Sequence, residues 1–186
     1  IPQQYRRKAS DLPGVSIHYL DAVEILEKGA TVCKLNVQQN EISRNSANVA
    51  VRILGTDLPQ EIVTVTAHYD SVPEGPGAYD NMSGSAIVME AFHYFAEHRP
   101  ARTVDFIWFG SEEKGLVGSQ NYVKNHQAEM AGHVFNLNVD LAGQLLGGNV
   151  LGVTADPTVC MALKELMEEN QLGVTIKNQA WASDSN

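Results

Sequence analysis

Strand-forming runs alternate with helical patterns along this chain, and that alternation restricts the fold more than any other feature. β-Branched and aromatic runs of strand length occupy residues 31–37 (TVCKLNV), 47–55 (ANVAVRILG), 61–70 (EIVTVTAHYD), 103–110 (TVDFIWFG), 133–140 (HVFNLNVD) and 149–154 (NVLGVT). Several are apolar throughout, as strands covered on both faces must be. Helical patterns fill 21–29, 81–98, 114–126 and 156–170, the last opened by Asp156 as N-cap and Pro157 at the first helical position. The order predicts an α/β domain, a mostly parallel mixed sheet flanked by helices on both faces in a three-layer sandwich.

Residues 1–45 read differently, with LPGVSI, then DAVEILEKG, then the polar stretch QQNEISRNSAN that runs up to the next strand. A boundary near residue 45 is expected, with the sandwich domain over 46–186. Neither IPQQYRRK at the start nor WASDSN at the end reads as a natural terminus, so the sequence is expected to be part of something longer.

Composition removes some functional classes. The 186 residues are 44% hydrophobic, enough for a real core, and the net charge of -9 argues against nucleic-acid or anionic-membrane partners, which need a basic face. No apolar run reaches the roughly 18 residues of a membrane span, and no signal-peptide pattern opens the chain. Cys33 and Cys160 lie far apart and form no CxxC pair, so they are expected to be core thiols.

The chemistry-bearing residues gather at strand ends, where open α/β sheets place their ligand sites. His68 and Asp70 close EIVTVTAHYD, and as positions i and i+2 they share a face, so Asp70 can reach the His68 imidazole. Asp80 follows a glycine- and proline-rich loop, VPEGPGAY, that can bring it back over His68; taken alone it reads as the N-cap of the next helix. Glu112 and Glu113 follow TVDFIWFG, and Asp140 ends HVFNLNVD. Singly, each has an ordinary structural reading. Together, at one end of consecutive strands, they read as a metal site of oxygen and imidazole ligands, which suits zinc, with manganese or cobalt as alternatives. Two adjacent glutamates suit a division of labour, one binding metal and the other handling the proton of an activated water. HExxH, GxSxG and Walker patterns do not occur.

The segments AHYDS (67–71), GAYDNMSGSA (77–86), FGSEEKGLVGS (109–119) and NVDLAG (138–143) together resemble, in order, the co-catalytic di-zinc aminopeptidases of metallopeptidase family twenty-eight, of leucyl aminopeptidase and aminopeptidase Y type. The resemblance covers roughly residues 46–186. It implies that Asp80 bridges two zinc ions, that His68 and Asp140 complete the first site, that Glu113 binds the second ion, that Glu112 is general base and proton shuttle, and that Asp70 orients His68. It also implies a cis Asp80–Asn81 bond, peptide substrates cut from the N-terminus, and secretion or a cell-surface position. Less directly, residues 1–45 resemble the end of a protease-associated insert domain and its linker.

One feature departs from that family's pattern. A further histidine for the second zinc comes from a later part of the family's domain, so two ions per complete domain imply a half-built second site here. Geometry excludes four of the other histidines as substitutes, His18 being outside that argument. His133 starts the strand that Asp140 ends, roughly 20 Å away at about 3.3 Å per residue. His93 and His98 lie roughly 18 to 27 Å along a helix that begins beside Asp80, and His126 is about a helix length past Glu113. His18 matches no motif and is expected on the surface or in a core. WASDSN resembles the segment leading into the family's substrate pocket.

The expected function is metal-dependent exopeptidase, most plausibly aminopeptidase, with a carboxypeptidase variant left open. Two alternatives stand beside it: a single-zinc acyltransferase like glutaminyl cyclase, and a non-catalytic binding ectodomain on the same scaffold. Activity of this stretch alone is doubtful on these grounds, and oligomeric state is not legible.

Overall fold

The structure is a computed structural model and describes residues 15–36, 38, 40, 42–143 and 146–178. Two compact units divide at Asn45/Ser46. In the first, helix α1 (Tyr19–Glu27) is capped by His18, whose Nδ1 accepts from the Leu20 N–H at 3.3 Å. His18 is exposed. Residues 31–36 form no strand: they are irregular and exposed, with Cys33 at the surface, which corrects the strand and core-thiol readings there. The sequence TVCKLN has the right residues, but β-propensity expresses a fit to neighbouring strands and acts only where a ladder forms.

The second unit carries strands β1 (Val49–Ile53), β2 (Leu58–His68), β3 (Arg102–Phe109) and β4 (His133–Asn138), with helices α2 (Met82–Glu97) and α3 (Val117–Asn125). The sheet order is β1-β3-β2-β4. β2 runs parallel to both β3 and β4, while β1 pairs antiparallel with β3, giving a mixed sheet. β5 (Asn149–Gly152) and β6 (Val174–Lys177) form a separate parallel pair bridged in sequence by α4 (Pro157–Glu169). β6 is a strand that the pattern reading passed over, since VTIK is too short to stand out before its pairing is known.

The apolar runs of β2 and β3 follow from double coverage. On one face Val104, Phe106 and Trp108 join Val65, Ala67 and Ile53 beneath Val88 of α2, with Phe92 and Phe95 packed against Phe106. Burial of each of Val65, Val88, Val104 and Phe106 contributes roughly 1.5–3 kcal/mol. On the other face Phe109 meets Tyr122 of α3 edge-on at 5.9 Å, and Asp105 lies beneath the same tyrosine. Asp105 is buried, and Arg52 of β1, its register partner, forks onto both carboxylate oxygens at 2.6 and 2.7 Å. That pairing is what allows a charge inside the sheet.

Because β2, β3 and β4 are parallel and in register (His68 beside Phe109, Thr66 beside Asn138), their carboxyl ends open on a single edge. His68 ends β2, and the connections that follow the three strands carry the other candidate residues.

Candidate metal centre

His68, the last residue of β2, is 1% exposed. Its Nδ1 lies 3.0 Å from the carbonyl oxygen of Asp70, which can only accept, so Nδ1 carries the proton in that bond and Nε2 points outward to the site. Nε2 lies 3.2 Å from Asp80 Oδ1, 3.4 Å from Asp140 Oδ1 and 3.9 Å from Glu112 Oε2. Ligand atoms of His68, Asp80 and Asp140 all fall within 4.8 Å of one another, the one such group of three among the described residues.

Each member is delivered by a short connection. The β2 backbone continues through Tyr69, whose N–H donates to Phe109 O at 3.0 Å, and β4 continues through Val139, whose N–H donates to Thr66 O at 2.8 Å. Asp140 therefore leaves the sheet one residue later. Asp80 closes the 71–80 loop, with Gly77 at φ +69° and a Met82 N–H to Gly77 O bond at 2.9 Å turning the chain into α2. The Asp80–Asn81 bond is cis. Ser85 of α2 donates to the His68 carbonyl at 2.8 Å and accepts at its own carbonyl from Trp108 Nε1 at 3.1 Å, which pins the start of α2 against the end of β2.

Glu112 and Glu113 occupy a single 3-10 turn, Glu112–Lys114, flanked by Ser111 at φ +61° and Leu116 at φ +59°. Helix α3 thus starts later than the pattern over 114–126 predicts. Two non-glycine residues in left-handed conformation persist only where the surroundings hold them. Asp70 supplies that hold: its carboxylate accepts from the Glu112 N–H at 2.9 Å and the Glu113 N–H at 3.3 Å. The same carboxylate is 3.6 Å from His68 Nδ1, too far for a good hydrogen bond. Asp70 does reach His68, then, but through its backbone carbonyl; its side chain is spent on the glutamate turn.

The electrostatics follow from this crowding. Burial works against the His68 imidazolium, but the Asp140 and Asp70 carboxylates outweigh it and push His68 up to about 11. Burial also opposes the Asp70 anion, yet the nearby His68 imidazolium and the bonds from the two glutamate N–H groups keep it below the usual carboxylate range. Glu113 moves upward, through burial first and then repulsion from Asp80. Its Oε1 is buried with no hydrogen-bond partner. A buried carboxylate oxygen without a donor, beside a cluster of anions, is what a cation ligand looks like in an apo geometry. The donor set, one imidazole and several carboxylates, fits zinc.

The remaining histidines lie elsewhere. His133 begins β4 and bonds Thr64 Oγ1 at 2.7 Å; His98 stacks on Tyr94 at 4.4 Å between ring centroids and His126 on Tyr122 at 4.1 Å; His93 is exposed on α2. WASDSN lies outside the described residues.

The profile of peptidase family M28 matches residues 48–179. The chain belongs to that family. Aminopeptidase YwaD of Bacillus subtilis is 35% identical over 138 residues, covering 71% of this chain and 29% of that protein. A vacuolar membrane protease of Saccharomyces cerevisiae is 33% identical over 138 residues, covering 74% of this chain and 14% of the relative. Among solved structures, BSAP, a zinc aminopeptidase from Bacillus subtilis, superposes with a TM-score of 0.65 at 29% identity, covering 74% of this chain and 35% of its own. This M28 chain therefore spans less than a third of the curated relatives it matches here.

Sequence reasoning named Asn81 only as a helix start and as half of the cis bond, and gave its side chain no role. It is 1% exposed and bonds the backbone on either side of Asp140. An Asp-Asn pair opening a helix was the available signal.

Proposed function

We propose that the intact protein is a zinc-dependent aminopeptidase, hydrolysing N-terminal residues from peptides. The observation that carries the reading is the convergence of His68, Asp80 and Asp140 within 4.8 Å, beside Glu113 with its unpartnered buried oxygen. In this reading His68, Asp80 and Asp140 would hold one ion, and Glu113, beside Asp80, would contribute to a second. Zinc held there would supply Lewis acidity, the chemistry that activates a carbonyl and a water at neutral pH.

The chain's own groups do the rest. Glu112, 3.9 Å from His68 Nε2, sits at the rim of the cluster, where its carboxylate takes the proton of the attacking water and delivers it to the departing amine. Asp70 fixes the turn bearing both glutamates and, through its carbonyl, the tautomer of His68. The choice of aminopeptidase over carboxypeptidase rests on the likeness to proteins named as aminopeptidases, YwaD and BSAP.

Among the described residues no helix is long and apolar enough to cross a membrane. Secretion or a cell-surface position belongs to the proposal, on family likeness. The test is hydrolysis of leucine anilide and of a peptide with and without an acetylated N-terminus, by the intact protein, alongside its zinc content. Cleavage confined to the free-amine peptide is the expected result. Equal cleavage of the blocked peptide overturns the aminopeptidase assignment, and conversion of an N-terminal glutamine to its cyclic form without hydrolysis would move the reading to acyl transfer.

A further inference from the structure

Four hydrogen bonds tie the segment 79–83 to the backbone on both sides of Asp140. Tyr79 Oη donates to Leu141 O at 2.7 Å, Asn81 Nδ2 donates to Val139 O at 2.9 Å, Asn81 Oδ1 accepts from Leu141 N at 3.3 Å, and Ser83 Oγ accepts from Ala142 N at 3.3 Å. The three side chains are themselves coupled, because Ser83 Oγ donates to the Tyr79 carbonyl at 2.7 Å and Asn81 Oδ1 also caps α2 at the Gly84 N–H, 3.0 Å away. Asp80 lies inside this segment and Asp140 inside the stretch it grips.

The grip coincides with an unusual backbone. Leu141, directly after Asp140, has φ +54°, a conformation that leucine adopts only when its surroundings over-determine it. Here both its N–H and its C=O are taken by the segment 79–83. The packing is equally close: a Cβ on Gly84 would stand 2.3 Å from the Val139 carbonyl oxygen.

From this geometry we infer that Tyr79, Asn81 and Ser83 act as positioning residues, a clamp that sets the spacing of the Asp80 and Asp140 carboxylates and thereby the metal affinity and coordination geometry of the site. The inference rests on the reading of His68, Asp80 and Asp140 as a metal centre. Helix capping alone explains one of Asn81's bonds; the bonds to Val139 and Leu141, 58 and 60 residues away, serve the Asp140 turn.

Cobalt(II), whose visible bands report ligand geometry, is titrated into the wild-type chain, into Asn81→Ser and into the double variant Tyr79→Phe/Ser83→Ala, with thermal melting of each metal-free protein. Serine is as good an N-cap as asparagine, so the first variant keeps α2 while losing reach to the Asp140 turn. Tyr79 is exposed and Ser83 half-buried, so the second removes polar contacts without opening the core. The expected result is an affinity about ten- to hundredfold lower in both, with altered bands; Asn81→Ser also melts lower without metal, because the Val139 C=O and the Leu141 N–H lose a buried partner, so the bands and the double variant carry the test. Wild-type affinity and bands in both variants overturn the clamp, as does weakening that only follows a loss of metal-free stability with the bands unchanged. Absence of binding by the wild type removes the metal centre itself, a different failure and one visible before any variant is made.

Discussion

The Asp70 carboxylate accepts from the Glu112 N–H at 2.9 Å and shares its other oxygen with the Glu113 N–H at 3.3 Å. One side chain at the end of β2 thus determines where both glutamates after β3 stand. Asp70→Asn places an amide where two donors converge, so one N–H loses its acceptor. The expected outcome in the intact protein is a fall of about ten- to a hundredfold in activity or zinc affinity. Steady-state kinetics and zinc competition on the purified variant decide it, and wild-type values in both would show that the turn holds its shape without Asp70.

Glu112→Gln separates proton transfer from metal binding. The amide keeps the shape but cannot take a proton, so kcat drops by about 10²–10⁴ while zinc content stays at the wild-type level. Unchanged turnover would remove Glu112 from the chemistry.

Metal binding is expected to release a proton. His68 is held protonated up to about 11 in the metal-free chain, and a zinc ligand must be deprotonated. Below that value the apparent dissociation constant for the ion that His68 holds falls about tenfold for each unit of rising pH, and calorimetry in two buffers of different ionisation enthalpy reads about one proton released on binding that ion. The sign for folding is opposite. A pKa raised from 6.5 contributes stability that is complete below 6.5 and is lost as pH rises toward 11, so the metal-free chain melts lower at pH 10 than His68→Gln controls account for. A proton count near zero contradicts the shift.

Gly84→Ala tests the contact between α2 and the Asp140 turn. The added Cβ would meet the Val139 oxygen at 2.3 Å and Asn81 Oδ1 at 2.5 Å, both held by other bonds. Overpacking of this kind costs about 1–3 kcal/mol, which urea unfolding measures. A neutral substitution there would mean that α2 can shift away from the turn freely.

Much of the site is legible in one dimension because its ligands obey a rule of the fold. His68, Glu112, Glu113 and Asp140 each end or follow a strand, parallel strands present their ends on one edge, and the apolar runs that reveal those strands are long. Asp80 is legible only in company, since an aspartate before a helix is ordinarily a cap; here Asn81 takes the capping role and leaves Asp80 to face His68. TVCKLN misled for the converse reason, having strand composition without a ladder to join.

Sequence by itself determined the α/β alternation, the acidic and histidine residues at strand ends, and membership of peptidase family M28. Tertiary structure alone decided that Asp70 serves the glutamate turn with its carboxylate and His68 with its carbonyl, and that Asn81 reaches across to Val139 and Leu141. The physical reason is that periodicity reports which face a side chain occupies, a local property, whereas a hydrogen bond to backbone some 60 residues away depends on distances that exist only after the strands have paired in register.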